Sequence, residues 1–155
     1  MSTTVKPQGC TNFKLRRLMR QVARHYDAEV AHSGLKTTQY SLLTHVLHLG
    51  PIRPVDLAKA MSIEASTLTR NLKPMVDAGW LTLGEGADAR SRLVAITDAG
   101  RQKRSQAQLD WRRAQEKLNE TLGLERVVAL HALLDESLAL LQGGEDESLS
   151  GEDDE

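Results

Sequence analysis

Short hydroxyl side chains and cations are concentrated between Ala65 and Lys73, in the sequence ASTLTRNLK. Serine and threonine hydroxyls can bond base edges or phosphates, and arginine can bond guanine or the backbone of a nucleic acid. At helical spacing Leu68 and Leu72 fall on one side, which leaves the polar residues on the other. Small residues at the start would allow close approach to a groove about 12 Å wide. The candidate contacts here are Ala65, Ser66, Thr67, Thr69, Arg70 and Lys73.

A second polar group, formed by Asp88, Arg90 and Arg92, falls in a predicted β-hairpin. Strands are predicted at 80–83 and 93–96, with a glycine-containing loop at 84–88 between them. An arginine on a projecting ribbon suits a narrow minor groove, where negative potential is concentrated. An aspartate two residues earlier can hold the guanidinium by paired hydrogen bonds. The three residues are therefore candidate contacts to the same duplex.

Apolar residues at three- and four-residue steps predict the helices that position these groups. The predicted helices span about residues 11–32, 37–50, 54–61, 65–78, 98–122 and 125–141. Predicted caps and stops are Thr37 or Thr38, Thr97, Ser33-Gly34, Gly79 and Gly123. The third and fourth helices, with a tight turn at 62–64, form a helix-turn-helix, and the hairpin adds a wing. The predicted class is mainly α with a small β-hairpin wing.

Four segments, in this order and spacing, resemble the MarR family of bacterial regulators: GLKTTQYSLL, GPIRPVDLAKAM, ASTLTRNLKPMVDAGWL and DARSRLVAITDAGR. The resemblance covers about Phe13 to Leu141. It implies a winged-helix homodimer whose first, fifth and sixth helices intertwine. It also implies a pseudo-palindromic operator, usually repression, and release by a small ligand or by oxidation. It assigns major-groove contacts to Ala65–Arg70 and a minor-groove contact to Arg90.

Three residues depart from the family pattern. Ala89 replaces the first of two adjacent arginines that the family wing often has. Pro74 lies inside the predicted recognition helix, removes the backbone bond toward the Arg70 carbonyl, and should kink the second half. Glu64 stands where a good N-cap is expected, so Ser62 or water must satisfy the helix start. These departures bear on base specificity and leave the predicted fold unchanged.

The charge of the chain is unevenly distributed. Residues 143–155 hold seven acids and no base, so the remaining 142 residues carry 20 bases and 14 acids, a net of +6. A basic body is compatible with a polyanionic partner and equally with a well-solvated surface. The acidic tail could compete with DNA for the basic body and suppress non-specific binding.

The expected organisation has four parts: a flexible N-terminus at 1–10, a helical dimerisation region at 11–34 and 98–142, a winged helix-turn-helix at 35–97, and a disordered acidic tail at 143–155. The terminal helices carry apolar stripes that need a partner, either a second copy or their own domain. The dimer is favoured mainly through the resemblance. Two recognition helices would then read half-sites about 10 bp apart.

Cys10, the only cysteine, is a candidate switch because it precedes a basic helix whose dipole would favour a thiolate. The peroxide-sensing branch of the MarR family has a reactive cysteine early in this helix. That position aligns with Asn12, however, and although Tyr26 matches one partner tyrosine, Thr37 occupies the place of the other. The alternative is an ordinary thiol near a flexible end.

The family's other mode of control is a pocket for phenolic or similar small molecules between the dimer arm and the winged domain. The residues that could line it are Tyr26, Tyr40, His45, His48 and Trp111. Each of them could instead pack in the core or face solvent. A small aromatic or phenolic ligand is therefore the expected effector.

Other function classes lack support in the sequence. It has no nucleophile elbow, no phosphate-binding loop and no cluster of paired carboxylates beside a histidine, so an enzyme is not expected. Its five histidines are scattered, and no metal or cofactor is expected. No apolar run approaches the ~20 residues of a membrane span, and the single cysteine suits a reducing cytoplasm. An architectural DNA-binding protein and a protein-interaction adaptor remain as alternatives.

Overall fold

The computed structural model describes residues 5–84 and 92–149 of the 155-residue chain, with side chains described as far as Gly143. The helices are α1 (Thr11–Val30), α2 (Thr37–Leu49), α3 (Pro54–Ala60), α4 (Ala65–Asp77), α5 (Asp98–Leu122) and α6 (Leu124–Leu149). A short 3-10 turn, Ala31–Ser33, follows α1, and the strands are β1 (Leu81–Leu83) and β2 (Val94–Ile96). This order confirms the predicted class, a mainly helical winged helix-turn-helix with a β-hairpin.

The core of the winged part is built from the inward faces of α2, α3, α4 and the hairpin. Its largest fully buried side chains are Leu42, Leu43, Leu57, Leu68, Met75, Leu81, Val46 and Val94, and Val30 at the end of α1 is buried in the same core. The stripe predicted for α4 is confirmed, since Leu68, Leu72 and Met75 are all buried. Burial of this stripe turns the opposite side of α4 outward, because residues three and four apart share one side of a helix.

The start of α2 corrects one prediction. Neither Thr37 nor Thr38 caps this helix, because Lys36 occupies the N-cap position and its N–H donates to the Gln39 Oε1 at 3.0 Å. The N–H and the hydroxyl of Thr37 instead donate to the Asp27 carboxylate, at 3.0 and 2.6 Å. The Asp27 carboxylate of α1 is a good partner for both groups, because a hydrogen bond to a charged acceptor is stronger than one to a neutral acceptor.

The turn between α3 and α4 is tight and left-handed. Pro54 is the first residue of α3, as predicted, and Ser62 has a φ of 54°. The N–H of Ile63 donates to the Ala58 carbonyl at 3.0 Å, which closes the end of α3. A left-handed residue with this bond ends a helix and redirects the chain within a few residues. The turn therefore sets the angle at which α4 leaves α3.

The hairpin pairs Leu81 with Ile96 and Leu83 with Val94 in an antiparallel register. Ile52 adds a bridge that the sequence did not predict, through bonds of 3.0 and 2.8 Å with Val94. Strands are recognised in a sequence by alternating apolar and polar residues, and a single bridging residue produces no such alternation. The bridge ties the first residue of β2 to the segment between α2 and α3.

Thr97 caps α5, as predicted. Its hydroxyl accepts from the Gly100 N–H at 3.0 Å, and its own N–H donates to the Trp80 carbonyl at 3.1 Å. Gly100 is buried, and a Cβ at this position would collide with the same Trp80 carbonyl oxygen. The glycine therefore allows the start of α5 to lie directly against the residue that leads into β1.

Replacing Gly100 by alanine is expected to lower the free energy of unfolding by about 1–3 kcal/mol, because the methyl group must displace backbone. Urea unfolding followed by circular dichroism measures the change. Gly143→Ala is the matched control, since a Cβ there meets no other atom within 4 Å. Equal stability of the Gly100→Ala variant and the wild type would contradict the close contact.

The chain divides within α5, after Ala114, into two compact units. The first unit includes α1 and the winged region, and the second begins at Gln115. Helix α6 also continues to Leu149, beyond its predicted end at Leu141 and into the tail predicted to be disordered. Glutamate and leucine are good helix formers, and a glycine costs only about 1 kcal/mol.

The apolar side of α6 is largely exposed. Val127 is buried, whereas Leu134, Leu138 and Leu141 of the predicted stripe are 43%, 52% and 73% exposed. On α1, Leu15, Leu18 and Met19 are also exposed. Among the described residues, none of the helices combines the length and the apolar character needed to cross a bilayer.

Candidate nucleic-acid interface and effector cavity

The polar side of α4 carries the predicted contact residues. Ala65, Ser66, Thr69, Arg70 and Lys73 are exposed, and Thr67 is half-buried. The buried stripe of α4 holds this row in place, so the helix presents small and polar side chains from its first residue. Five of the six predicted positions thus lie where a duplex could reach them, and Thr67 is only partly accessible.

Two side chains of this row, Thr69 and Lys73, make contacts within α4 itself. The Thr69 hydroxyl donates to the Ala65 carbonyl at 3.0 Å, so its oxygen keeps acceptor capacity. The Lys73 ammonium lies 3.0 Å from the Asp77 carboxylate, and both side chains are mostly exposed. Exposed pairs of this kind are worth about 0–1 kcal/mol, so a phosphate can compete for the lysine.

Two of the departures from the family pattern, Glu64 and Pro74, lie at the start of α4 and within it. Glu64 is the N-cap residue and provides no side-chain bond to the helix, as predicted. The helix runs through Pro74 and ends at Asp77, where the Ala78 N–H donates to the Pro74 carbonyl at 3.0 Å. The proline therefore does not end α4, and the half that carries Ala65 to Arg70 precedes it.

Arg92, two residues before β2, lies close to α4. Arg92 is exposed and lines a groove of about 410 Å³ together with Thr69 and Lys73. The walls of this groove also include apolar residues of α3, α4 and β1, namely Pro54, Val55, Leu72, Val76 and Leu83. Arg92 is thus placed beside two of the predicted α4 contacts. Asp88 and Arg90 lie outside the described residues.

A cavity of about 610 Å³ lies between α1, α2 and the first half of α5. Four predicted pocket residues, Tyr26, Tyr40, His45 and Trp111, line it together. His48 does not line it and is exposed, because it lies one turn further along α2, past the last lining residue of that helix. The remaining lining residues are Met19, Val22, Ala23, Thr37, Ser41, Thr44, Arg104 and Gln108.

Aromatic rings form one wall of this cavity. The Tyr40 and Trp111 rings are stacked at 6.1 Å between centroids, and the Tyr26 ring lies 6.3 Å from Trp111. Burial raises the pKa of Tyr26 above its ordinary value, since the charged phenolate is poorly solvated there. Tyr26 is therefore a neutral phenol at physiological pH.

His45 is fixed by α2 itself. Its Nδ1 lies 2.8 Å from the Ser41 carbonyl oxygen, which can only accept, so this nitrogen carries the proton. In the neutral ring Nε2 is then an acceptor. Sequence reasoning missed Arg104 and Gln108, although they precede Trp111 by seven and three residues, a helical spacing that places all three on one side of α5.

Comparison with known proteins gives consistent results. Residues 33–91 match the model of the MarR family. The chain is 30% identical to the M. tuberculosis transcriptional regulator MosR in complex with DNA, with a TM-score of 0.68 over 84% of this chain and 98% of that one. It is 26% identical to a mutant MarR from E. coli complexed with operator DNA, with a TM-score of 0.73 over 82% of this chain and 92% of that one. It is also 26% identical to the HTH-type transcriptional regulator YwoH of Bacillus subtilis, over 64% of this chain and 72% of that protein.

The chain belongs to the MarR family. It is a transcriptional regulator that binds DNA, and proteins of this family are regulators and not enzymes. The family match ends within the hairpin and includes α4, so the polar row of α4 falls inside the matched segment.

The remaining candidate residue of this MarR-family protein is Cys10. It is exposed at the N-cap position of α1, and its carbonyl accepts from the Lys14 N–H at 3.1 Å. In the part of the chain that the structure describes, no group of three or more His, Cys, Asp or Glu side chains is placed to hold a metal.

Proposed function

We propose that this protein is a repressor that binds a pseudo-palindromic operator as a homodimer and is released by a small aromatic or phenolic ligand. The observation that carries the proposal is the exposed polar row of α4 beside Arg92, which lies on the loop side of β2. A helix and a basic ribbon on one side of a domain suit the adjacent major and minor grooves of one duplex.

Residue roles within this interface follow from chemistry and position. Ser66, Thr67 and Thr69 would bond base edges or phosphates, and Arg70 would bond guanine or the backbone. Lys73 and Arg92 would contact phosphates, and Arg90, oriented by Asp88, would enter the minor groove. Ala65 would allow the start of α4 to approach the bases closely.

The homodimer is supported by the apolar residues that a single chain leaves in water. Leu134, Leu138 and Leu141 recur at three- and four-residue steps on α6, and all three are exposed. Exposed apolar surface of this extent usually marks an interface. A twofold axis would bring two copies of this side together and space the two α4 helices for half-sites about 10 bp apart.

The expected effector site is the cavity lined by Tyr26, Tyr40, His45 and Trp111. Its volume lies within the range of about 300–1,000 Å³ that is usual for small-molecule sites. The cavity joins α2, which belongs to the winged region, to α1 and α5. A ligand that favours one arrangement of these helices would change the spacing of the two α4 helices and so the affinity for DNA.

Selection of bound sequences from random DNA, followed by titration of the recovered duplex, tests the proposal. A repressor of this kind should recover a pseudo-palindrome and bind it with a saturable stoichiometry of one dimer per duplex. Aromatic acids and phenols are then screened for release of the duplex. Coating of any DNA without a preferred site would instead indicate an architectural protein, and absence of DNA binding an adaptor.

A redox-responsive regulator is the second candidate, because Cys10 is exposed. With a single cysteine in the chain, a disulfide would have to join two chains or use a small thiol. Peroxide should then release the operator from the wild type and not from a Cys10→Ser variant. Equal release of both would exclude Cys10 as the sensor. The single thiol also supports a cytoplasmic location.

Deleting the acidic tail, residues 143–155, is expected to raise the affinity for random DNA about tenfold or more at low salt. The deletion removes seven negative charges from a chain whose remainder carries +6. Fluorescence anisotropy with a random duplex measures the effect. Replacing the tail acids with their amides is the control that keeps the length, and unchanged affinity of both variants would contradict the idea.

A further inference from the structure

One side of α1 carries a row of arginines that have no acidic partner. The arginine row consists of four exposed residues, Arg16, Arg17, Arg20 and Arg24, which extend over about 12 Å of the helix. None of the four forms an ion pair with any residue that the structure describes. No acid precedes Asp27 in the chain, and the Asp27 carboxylate already accepts two hydrogen bonds from Thr37. The arginine row is therefore a positive surface that α1 itself does not neutralise.

This arrangement of charge is unfavourable for α1 alone. Arg16, Arg20 and Arg24 recur at four-residue steps, and like charges at that spacing destabilise a helix. Lys14 adds an exposed cation to the first turn, which has no acid, although the helix dipole favours an anion there. An anionic partner would remove both of these costs.

The end of α6 has the opposite mismatch of charge. The helix continues to Leu149, and its last turn has no basic residue. Glu145, Asp146 and Glu147 are among its last five residues, although the dipole favours cations at the end of a helix. Four more acids follow at residues 152–155. The acidic tail and the arginine row are thus complementary in charge, and each would relieve the mismatch of the other.

The exposed residues of α1 and α6 indicate that the two surfaces meet between copies of the chain. Every residue from Thr11 to Arg20 is exposed in a single chain, including apolar Leu15 and Leu18 on the side away from the arginine row. On α6, the exposed Leu138 and Leu141 come directly before the acidic tail. Apolar surface of this extent on both helices fits an interface with a second copy. A tail that continues from α6 would enter that interface together with these leucines.

We propose that the arginine row of α1 binds the acidic tail, residues 145–155, of a second copy of this chain. This inference rests on the proposed function, because it requires the homodimer. In a twofold dimer the contact occurs twice, with one tail on each arginine row. The bound tail neutralises a surface that would otherwise attract any polyanion, random DNA included. The effect expected of the tail on non-specific DNA binding thus acquires a defined site.

Cross-linking with a carbodiimide, which joins a lysine amine to a carboxylate, tests the contact in the full-length protein. Arg20→Lys places a reactive amine in the middle of the arginine row and keeps the charge. Isotopically labelled and unlabelled chains of this variant are mixed and allowed to exchange before the reagent is added. We expect mass spectrometry to find position 20 joined to residues of the tail, in peptides that combine one labelled and one unlabelled chain.

The matched control is Arg101→Lys, which introduces the same amine at another exposed arginine, outside the arginine row. This variant should give no link between position 101 and the tail. Absence of a link from position 20 would overturn the inference, and so would equal linking from both positions. Links found only within chains of the same label would put the tail on its own α1 and overturn the assignment to a second copy.

Charge reversal tests whether the contact stabilises the dimer. We expect Arg16→Glu with Arg20→Glu to raise the dissociation constant of the dimer at least about tenfold at low salt, and Glu145→Arg with Glu147→Arg to do the same. Each exposed pair is worth little, but every substitution occurs twice and turns attraction into repulsion. Combining the four substitutions should restore most of the affinity, because opposite charges face each other again. Analytical ultracentrifugation of the full-length proteins measures the dissociation constant.

Lys59→Glu with Arg101→Glu is the control for charge reversal, since it changes the net charge equally at two exposed cations outside α1. It should leave the dissociation constant unchanged. The same loss in this control, or no recovery in the combined variant, would overturn the inference. Circular dichroism identifies a variant that does not fold, in which case the cross-link from position 20 decides.

Operator binding and mass, measured on the wild type, distinguish failure of this inference from failure of the proposed function. If the wild type is a dimer that binds the operator and neither the cross-link nor the recovery is found, the tail site is wrong and the homodimeric repressor stands. If the tail is linked to the arginine row of a second copy but no operator is bound, the tail site stands and the proposed repressor is wrong. A wild type that remains monomeric overturns both.

Discussion

Replacing both Arg70 and Arg90 by alanine is expected to reduce operator affinity by at least about thirtyfold. A bidentate contact to guanine and an arginine in a narrow minor groove each contribute about 1–3 kcal/mol, and the two residues are proposed to contact different grooves, so their effects should add. Fluorescence anisotropy with the selected operator measures the loss. Each single variant should lose roughly half of the binding free energy that the double variant loses.

The control for this prediction is Arg101→Ala, which removes an exposed cation from α5 and none from the proposed interface. The dependence of DNA affinity on salt concentration distinguishes a phosphate contact from a base contact. Loss of a phosphate contact weakens binding to every sequence and lowers the salt slope by about one, whereas loss of a base contact relaxes specificity at one position. If the double variant bound the operator as tightly as the wild type, the α4 and wing assignment would fail and an adaptor would become the better explanation.

The elements that carry this interface could be predicted because their signals are local. The stripe of Leu68, Leu72 and Met75 identifies α4 and determines which side remains outward. Thr97 was recognised as the cap of α5 because the bond that it accepts comes from a residue only three positions away. In both cases the residues that decide the structure are neighbours in the sequence.

Features that depend on distant residues were missed or misjudged. Thr37 looked like a helix cap, but Asp27 from α1 bonds both its N–H and its hydroxyl. Ile52 forms a bridge with Val94, more than forty residues away, which no local pattern could indicate. The extension of α6 to Leu149 was missed for a different reason, since acidic composition was read as disorder although glutamate favours helices.

The effector cavity has some residues that could be predicted from the sequence and others that could not. Its aromatic residues were proposed through the resemblance to a family with a pocket for phenolic ligands, and the structure brings four of them together. Arg104 was not proposed, because the sequence contains many arginines and only the fold shows which one faces the Tyr40 ring. Identifying the charged group of a site therefore required the tertiary structure, while its apolar walls did not.

The pair of substitutions Leu134→Glu and Leu138→Glu is expected to convert the protein into a monomer and to abolish operator binding at concentrations where the wild type is saturated. The two residues lie one turn apart on the exposed apolar side of α6. In a twofold dimer each substitution occurs twice, so four charges would enter the interface, each of them unpaired and costing several kcal/mol. Size-exclusion chromatography with light scattering at micromolar concentration measures the mass.

The matched control adds the same two charges elsewhere on the same helix, as Ala132→Glu and Ala139→Glu, which fall on the side of α6 away from the Leu134 stripe. This variant should remain a dimer and bind the operator. Circular dichroism should show wild-type helix content in both variants, because all four positions are exposed in the single chain and a charge there breaks no packing within it.

If the leucine variant kept the mass of a dimer, α6 would not form the interface. If it became a monomer and still bound the operator with full affinity, the two half-sites would have to be read independently, and the spacing of the paired α4 helices could not be what a ligand in the cavity controls.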